Sequence, residues 1–179
     1  MKKSTGLLVS ASAALALSLL APREAHAQVG YTNRFGLGLA LGYPDVGLSA
    51  QYFMTRGQSL QFVAAFLYHN VYFNDRYNGY VAVNSGIFLR ADYLFHPNIL
   101  VRGSVAALEW YIGPGLNLGV GNSPYYAFGL ELPIGLALQF QRFPMDLALE
   151  FVPRINLVDN SGFRPDFGSA GTFHIRFYF

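Results

Sequence analysis

The sequence of 179 residues contains no cysteine, little charge and almost no lysine. Without cysteine neither a disulfide nor a thiolate metal site can form, so backbone pairing and packing must hold the fold. Both lysines are Lys2 and Lys3, and the chain beyond residue 27 carries nine arginines against nine acidic residues. This neutral balance argues against a nucleic-acid partner, which requires a basic surface.

Long apolar runs are also absent after residue 27, so the sequence predicts no membrane-spanning helix there. Residues 6–21 are apolar and small, follow the two lysines, and precede an A-x-A site at Ala25 and Ala27. This order is typical of a secretory signal peptide, and the apolar run is shorter than the roughly 20 residues of a spanning helix. We therefore expect a cleaved signal at residues 1–27 and one exported domain at residues 28–179.

Beyond the signal, apolar residues alternate with small or polar ones over about ten residues at a time, with turn residues between the segments. This is the signature of strands in a membrane barrel, where one face meets lipid and the other meets the interior. The eight predicted strands are residues 34–41, 46–54, 59–69, 87–95, 108–118, 126–140, 145–157 and 171–179. The predicted fold is all-β, an eight-stranded antiparallel up-and-down transmembrane β-barrel.

The connections between the predicted strands differ in length. Residues 70–79 and 158–168 are predicted loops, and His96, Pro97 and Asn98 are expected to end the fourth strand. Residues 99–107 could be either a structured turn or an extension of the flanking strands.

Composition indicates which face looks outward. The less apolar face is mostly Gly, Ala and Ser with single charges and no lysine, which suits a crowded interior better than a surface in water. Aromatic residues concentrate near predicted strand ends, which is typical of the girdles at membrane interfaces. One end would carry Tyr52, Tyr93, Phe95, Phe140, Phe143 and Phe179, and the other Tyr43, Tyr68, Tyr72, Tyr80, Tyr125 and Tyr126.

Nine ionisable residues fall on the predicted interior face. They are Arg90, Asp92, Glu109, Glu131, Asp146, Glu150, Arg154, His174 and Arg176. Hairpin register predicts Glu131 opposite Arg154, and Glu150 close to His174 and Arg176. We interpret this lumen charge network as structural filling; a proton path, a gated pore or an acid–base site are the functional alternatives.

The sequence shows no local catalytic or metal-binding motif, and we expect no enzyme, no metal and no cofactor. His69, His96 and His174 lie on separate segments without a recognisable serine spacing, although a triad can assemble from distant strands. Three dispersed histidines without cysteine give no ligand spacing for a metal.

The last nine residues place Gly171, Phe173, Ile175, Phe177 and Phe179 on one face of an extended strand. This set resembles the terminal-strand assembly signal of bacterial outer-membrane β-barrels, and the predicted size is similar to that of eight-stranded OmpA/OmpX-type members. The phrases ADYLFH at residues 91–96 and LALEFVPRINL at residues 147–157 are similar to those of uncharacterised small outer-membrane barrels.

The resemblance implies an outer-membrane location, lipid as the surrounding medium, and the barrel-assembly machinery and periplasmic chaperones as partners during biogenesis. We expect a monomer. Three functions stay open: a structural or surface-interaction barrel with a filled lumen, a narrow channel for small solutes or ions, and a lipid-modifying enzyme.

Overall fold

A computed structural model describes residues 34–43, 46–67, 71–75, 79–83, 86–121, 125–159 and 162–179. The predicted signal peptide lies outside these ranges. Every regular element in them is a β-strand, and none of their residues forms a helix long and apolar enough to cross a membrane. The strands are β1 (Phe35–Tyr43), β2 (Val46–Thr55), β3 (Gln58–Leu67), β4 (Val71–Asp75), β5 (Gly79–Val83), β6 (Gly86–Arg102), β7 (Ala106–Ile112), β8 (Gly115–Gly121), β9 (Tyr125–Glu131), β10 (Ile134–Phe140), β11 (Met145–Asp159) and β12 (Gly162–Tyr178).

Antiparallel pairing closes ten of the twelve described strands into a ring with eight positions. β1 pairs with β2 on one side and with β12 on the other, while β2, β3 and β6 follow in sequence order. β6 then pairs with both β7 and β8, which together occupy one ring position. β9 and β10 together occupy the following position, and β11 and β12 complete the ring. The prediction of an all-β antiparallel fold is confirmed.

Prolines cause the two interruptions, because they cannot donate to a strand ladder. Pro114 separates β7 from β8, and Pro133 separates β9 from β10. The neighbouring strands still bond to the proline carbonyls: the Tyr93 amide donates to Pro114 O at 2.9 Å and the Gly113 amide to Pro133 O at 3.2 Å. The fifth and sixth predicted strands are therefore each one ring position with a local break.

The two-residue alternation decides which side chains are inside. Along β10, even-numbered apolar residues point outward, while Gly135, Ala137 and Gln139 are buried. Odd-numbered residues also point inward on both sides of Pro114, where Glu109, Tyr111 and Asn117 are all buried. The structure thus places the predicted apolar rows on the outer wall and the small and polar rows inside.

Both predicted loops are wrong, because the chain is more extended than its polar composition suggests. Within residues 70–79, β4 begins a hairpin that pairs Val71 with Val83 and Asp75 with Gly79. Within residues 158–168, β11 continues to Asp159 and β12 already begins at Gly162, with a register shift after Asn156.

The predicted stop at residues 96–98 is also wrong. β6 runs on to Arg102, and register shifts between Phe95 and Asn98 absorb Pro97. Of the two alternatives for residues 99–107, the strand extension is the one observed, with a turn closed by the Gly103 amide on Ala106 O. His96 therefore lies in a strand with its side chain buried.

The ring has two distinguishable ends. Residues 56–57, 103–105 and 141–144 connect strands at one end, which we name the turn end. At the other end β4 and β5 form their own two-stranded sheet, and we name this the hairpin end.

Candidate functional site

The interior of the ring is polar, and it holds the nine ionisable residues predicted for it. Eight of these side chains are buried, and Arg154 is half-buried with its guanidinium carbon 4.7 Å from the centre of the Phe88 ring. Buried charges are costly unless they are paired and hydrogen-bonded, so their partners determine whether this arrangement is stable.

Arg90 is the centre of the first cluster. Its Nη2 donates to Asp92 Oδ2 at 3.0 Å and to Glu150 Oε1 at 2.8 Å, and its Nε donates to Glu131 Oε1 at 2.5 Å. These carboxylates come from three ring positions, so one guanidinium joins distant parts of the wall. Planar guanidinium groups are suited to such forked contacts with carboxylates.

Arg176 is the centre of the second cluster. Its Nε and Nη2 bind both oxygens of Asp146 at 3.0 and 2.9 Å, and its Nη1 donates to Gln61 Oε1 at 2.6 Å. The Gln61 amide donates in turn to Glu150 Oε2 at 2.9 Å, which connects the two clusters. The charge network is therefore continuous across the interior.

The predicted pairs are placed as follows. Glu131 lies directly opposite Arg154 in the β9–β11 register, as the hairpin geometry predicted. His174 Nε2 lies 3.4 Å from Glu150 Oε1, whereas the carboxylate on Arg176 is Asp146, its cross-strand neighbour. Glu150 is paired with Thr172, four residues from Arg176 along β12, which explains the different partner.

Large and small side chains complement each other in the remaining interior. Gly135 leaves room for Tyr111, since a Cβ at this position would collide with the Tyr111 ring. The Tyr111 hydroxyl donates to Glu150 Oε2 at 3.0 Å, so this side chain fills space with its ring and supplies a hydrogen bond to the charge network. Towards the hairpin end, Ala40, Val63, Ala65 and Phe88 form an apolar cluster.

A second polar group lies at the turn end, and the sequence did not predict it. Ser59 Oγ is 2.8 Å from His96 Nε2, and His96 Nδ1 is 3.0 Å from Glu109 Oε1. Gln51 Nε2 donates to Ser59 Oγ at 2.8 Å, and Gln139 Nε2 donates to the same Glu109 oxygen at 2.5 Å. These residues come from five strands, so no local spacing could reveal the group.

No family model, curated protein or solved structure matches this chain. The residues of the interior and the outer wall therefore carry the functional argument. No group of His, Cys, Asp or Glu among the described residues could hold a metal ion.

Proposed function

We propose that this chain is an integral outer-membrane β-barrel whose lumen is filled by side chains, with a structural or surface-interaction role. The observation that carries this proposal is the reversal of the usual polarity: leucine and phenylalanine cover the outside while arginine, aspartate and glutamate lie within. Bacterial outer-membrane barrels have this arrangement because their outer face meets hydrocarbon.

The outer wall supports contact with lipid. Leu39, Leu48 and Leu89 are 48%, 61% and 44% exposed, although each lies well within a strand. None of the outward positions from β1 to β3 carries a charged residue among the described residues. A surface of this kind in water would aggregate, whereas acyl chains solvate it without cost.

An apolar recess on the outer wall fits the same proposal. Ala50, Ala64 and Ala91 stand among larger leucines and phenylalanines and leave a depression of about 560 Å³. Flexible acyl chains would fill it. Ring closure also suits a bilayer, because hydrocarbon offers no hydrogen bonds to the backbone groups of an open sheet edge. Each ring strand pairs on both sides, so the ring has no open edge.

The hairpin end is the proposed contact surface. β4 and β5 lie beyond the ring pairing there, and the start of β12 exposes Phe163 and Phe167 by 72% and 81%. Phe167 continues the outward row of β12 towards the hairpin end, and exposed apolar patches of this kind mark interaction sites. The outward residues of β12 would serve during biogenesis, with the set Gly171, Phe173, Ile175, Phe177 and Phe179 presented to the assembly machinery.

The absence of native cysteine allows a direct test of the outer wall, because a single introduced thiol has no background. A fluorophore on Leu89→Cys should be quenched by lipids brominated in their acyl chains and protected from aqueous iodide. The matched control is Arg142→Cys in the exposed turn after β10, which should show the opposite pattern. Equal iodide quenching at the two positions would exclude a lipid-facing wall.

The filled lumen predicts the electrical behaviour of the purified protein. We expect no stable single-channel conductance of porin size in planar bilayers, because Arg90, Arg176 and their partners occupy the central cross-section. Reproducible open channels from heat-modifiable, correctly folded monomer would favour the alternative of a channel for small solutes or ions.

A further inference from the structure

The group formed by Ser59, His96 and Glu109 lies towards the turn end of the interior, and on β7 the buried Ala107 lies between Glu109 and that end. Ser59 is the first buried residue of β3, and His96 is the last buried residue of β6. The backbone places them together: the His96 amide donates to Gly57 O, in the turn just before Ser59. The serine is therefore one layer from the end of the ring rather than deep in its centre.

Hydrogen-bond roles assign the proton positions in this group for an ionised Glu109 and a neutral His96. An ionised carboxylate can only accept, so Glu109 requires the proton of a neutral His96 to be on Nδ1. His96 Nε2 is then an acceptor, and the Ser59 hydroxyl must donate to it. The amide of Gln51 completes the arrangement by donating to the serine oxygen.

We propose that Ser59 is the nucleophile of an acyl-transfer site that takes carboxylic esters, with His96 as its base and Glu109 as the group that orients His96. A serine on one imidazole nitrogen and a carboxylate on the other is the geometry by which such sites are recognised, whatever the fold or residue order. The proposal goes beyond the role of the barrel in the membrane and does not depend on it.

The reaction would proceed in two balanced steps. Ser59 Oγ attacks the ester carbonyl carbon while His96 Nε2 takes its proton, and the collapsing intermediate expels the alcohol, which receives that proton. Water then attacks the acyl-serine, His96 takes a proton from the water, and the carboxylic acid leaves as that proton returns to Ser59. The sum is ester plus water giving acid plus alcohol.

Two neighbours have further roles in this proposal. The Gln51 amide donates a hydrogen bond to Ser59 Oγ. In this proposal the same amide also donates to the oxyanion that forms next to Ser59 Oγ. Phe53 packs against His96, with ring centres 5.1 Å apart. In this proposal substrate enters from the turn end, and the Phe53 ring has to move to admit it.

A fluorophosphonate probe tests the nucleophile on the native, detergent-purified full-length protein. The serine oxygen displaces fluoride from phosphorus, and the adduct can be located by mass spectrometry. Cleavage after Arg56 and Arg76 gives a peptide in which Ser59 is the sole serine, so the assignment is unambiguous. We expect the adduct on this peptide, and folded protein without it would overturn the proposal.

Ser49 provides a matched control within the same interior. It is fully buried, its hydroxyl is 3.0 Å from His174 Nδ1, and His174 Nε2 lies 3.4 Å from Glu150 Oε1, so it has the same order of partners as Ser59. Ser49 differs in lying in the middle of the ring instead of at an end. Ser49→Ala should leave labelling of the peptide at residues 57–76 unchanged, while Ser59→Ala should abolish it. Labelling that persists in Ser59→Ala would contradict the assignment.

Hydrolysis of p-nitrophenyl butyrate separates a catalytic role from a structural one. His96→Asn should lower kcat/KM on the order of 10²-fold to 10⁴-fold, the range for loss of a general base. Glu109→Gln should lower kcat while leaving KM close to that of the native protein, because Glu109 acts through His96. Equal activity in Ser59→Ala and native protein, both shown to be folded by heat-modifiable migration, would exclude this reaction.

Discussion

Replacing Arg90 with methionine should destabilise the folded protein by about 3 to 5 kcal/mol, the usual consequence of leaving a buried charge without its partner. Arg90 is buried and binds Asp92, Glu131 and Glu150. Methionine fills much of the same volume but supplies no donor. Three carboxylates would then face one another in the interior, and urea unfolding in detergent micelles should show a lower midpoint with little change in slope.

A matched arginine and a double variant distinguish charge pairing from lost volume. Arg142→Met, in the exposed turn after β10, should change stability by less than about 0.5 kcal/mol. In the Arg90→Met background, Glu131→Gln should recover part of the loss because it removes one uncompensated carboxylate, whereas in the native background it should be destabilising. Additive effects of the two substitutions would show that Arg90 and Glu131 are not coupled.

Local periodicity predicts much of this interior. Alternation alone places Arg90, Asp92 and Glu109 on the inside, because parity within a strand does not depend on the rest of the fold. Hairpin register also predicts Glu131 opposite Arg154. The contact between Arg90 and Glu150 is different: these residues are 60 positions apart and meet only across the lumen, at a distance that ring closure sets.

The Ser59 group shows a second limit of sequence reasoning. The rule that proline ends a strand placed His96 in a turn, whereas a register shift lets β6 continue through Pro97. The two-residue alternation still predicts that the His96 side chain points inward, since His96 is in the same phase of β6 as Arg90 and Asp92. Ser59 and Glu109 could then be placed inside, but their meeting with His96 depends on packing between three strands.

Leu39→Arg should destabilise the protein by about 2 to 4 kcal/mol in a bilayer, and this result would separate a lipid-facing wall from a surface in water. Leu39 is 48% exposed and lies midway along β1, between Phe35 and Tyr43. An arginine near the middle of a bilayer loses its hydration, and measured costs on barrel walls have this size. In water the same exposed substitution would change stability by less than about 0.5 kcal/mol.

Val101→Arg is the control for depth in the bilayer. Val101 is 61% exposed but lies near the end of β6 at the turn end, where the guanidinium could reach headgroups and water. Its expected cost is about 0 to 1 kcal/mol, as for positions near a membrane interface. Equal stability costs at Leu39 and Val101 would contradict the proposed membrane placement, because the cost of an arginine on the outer wall would then not depend on depth. A larger cost at Leu39 is the result expected for hydrocarbon around the middle of β1.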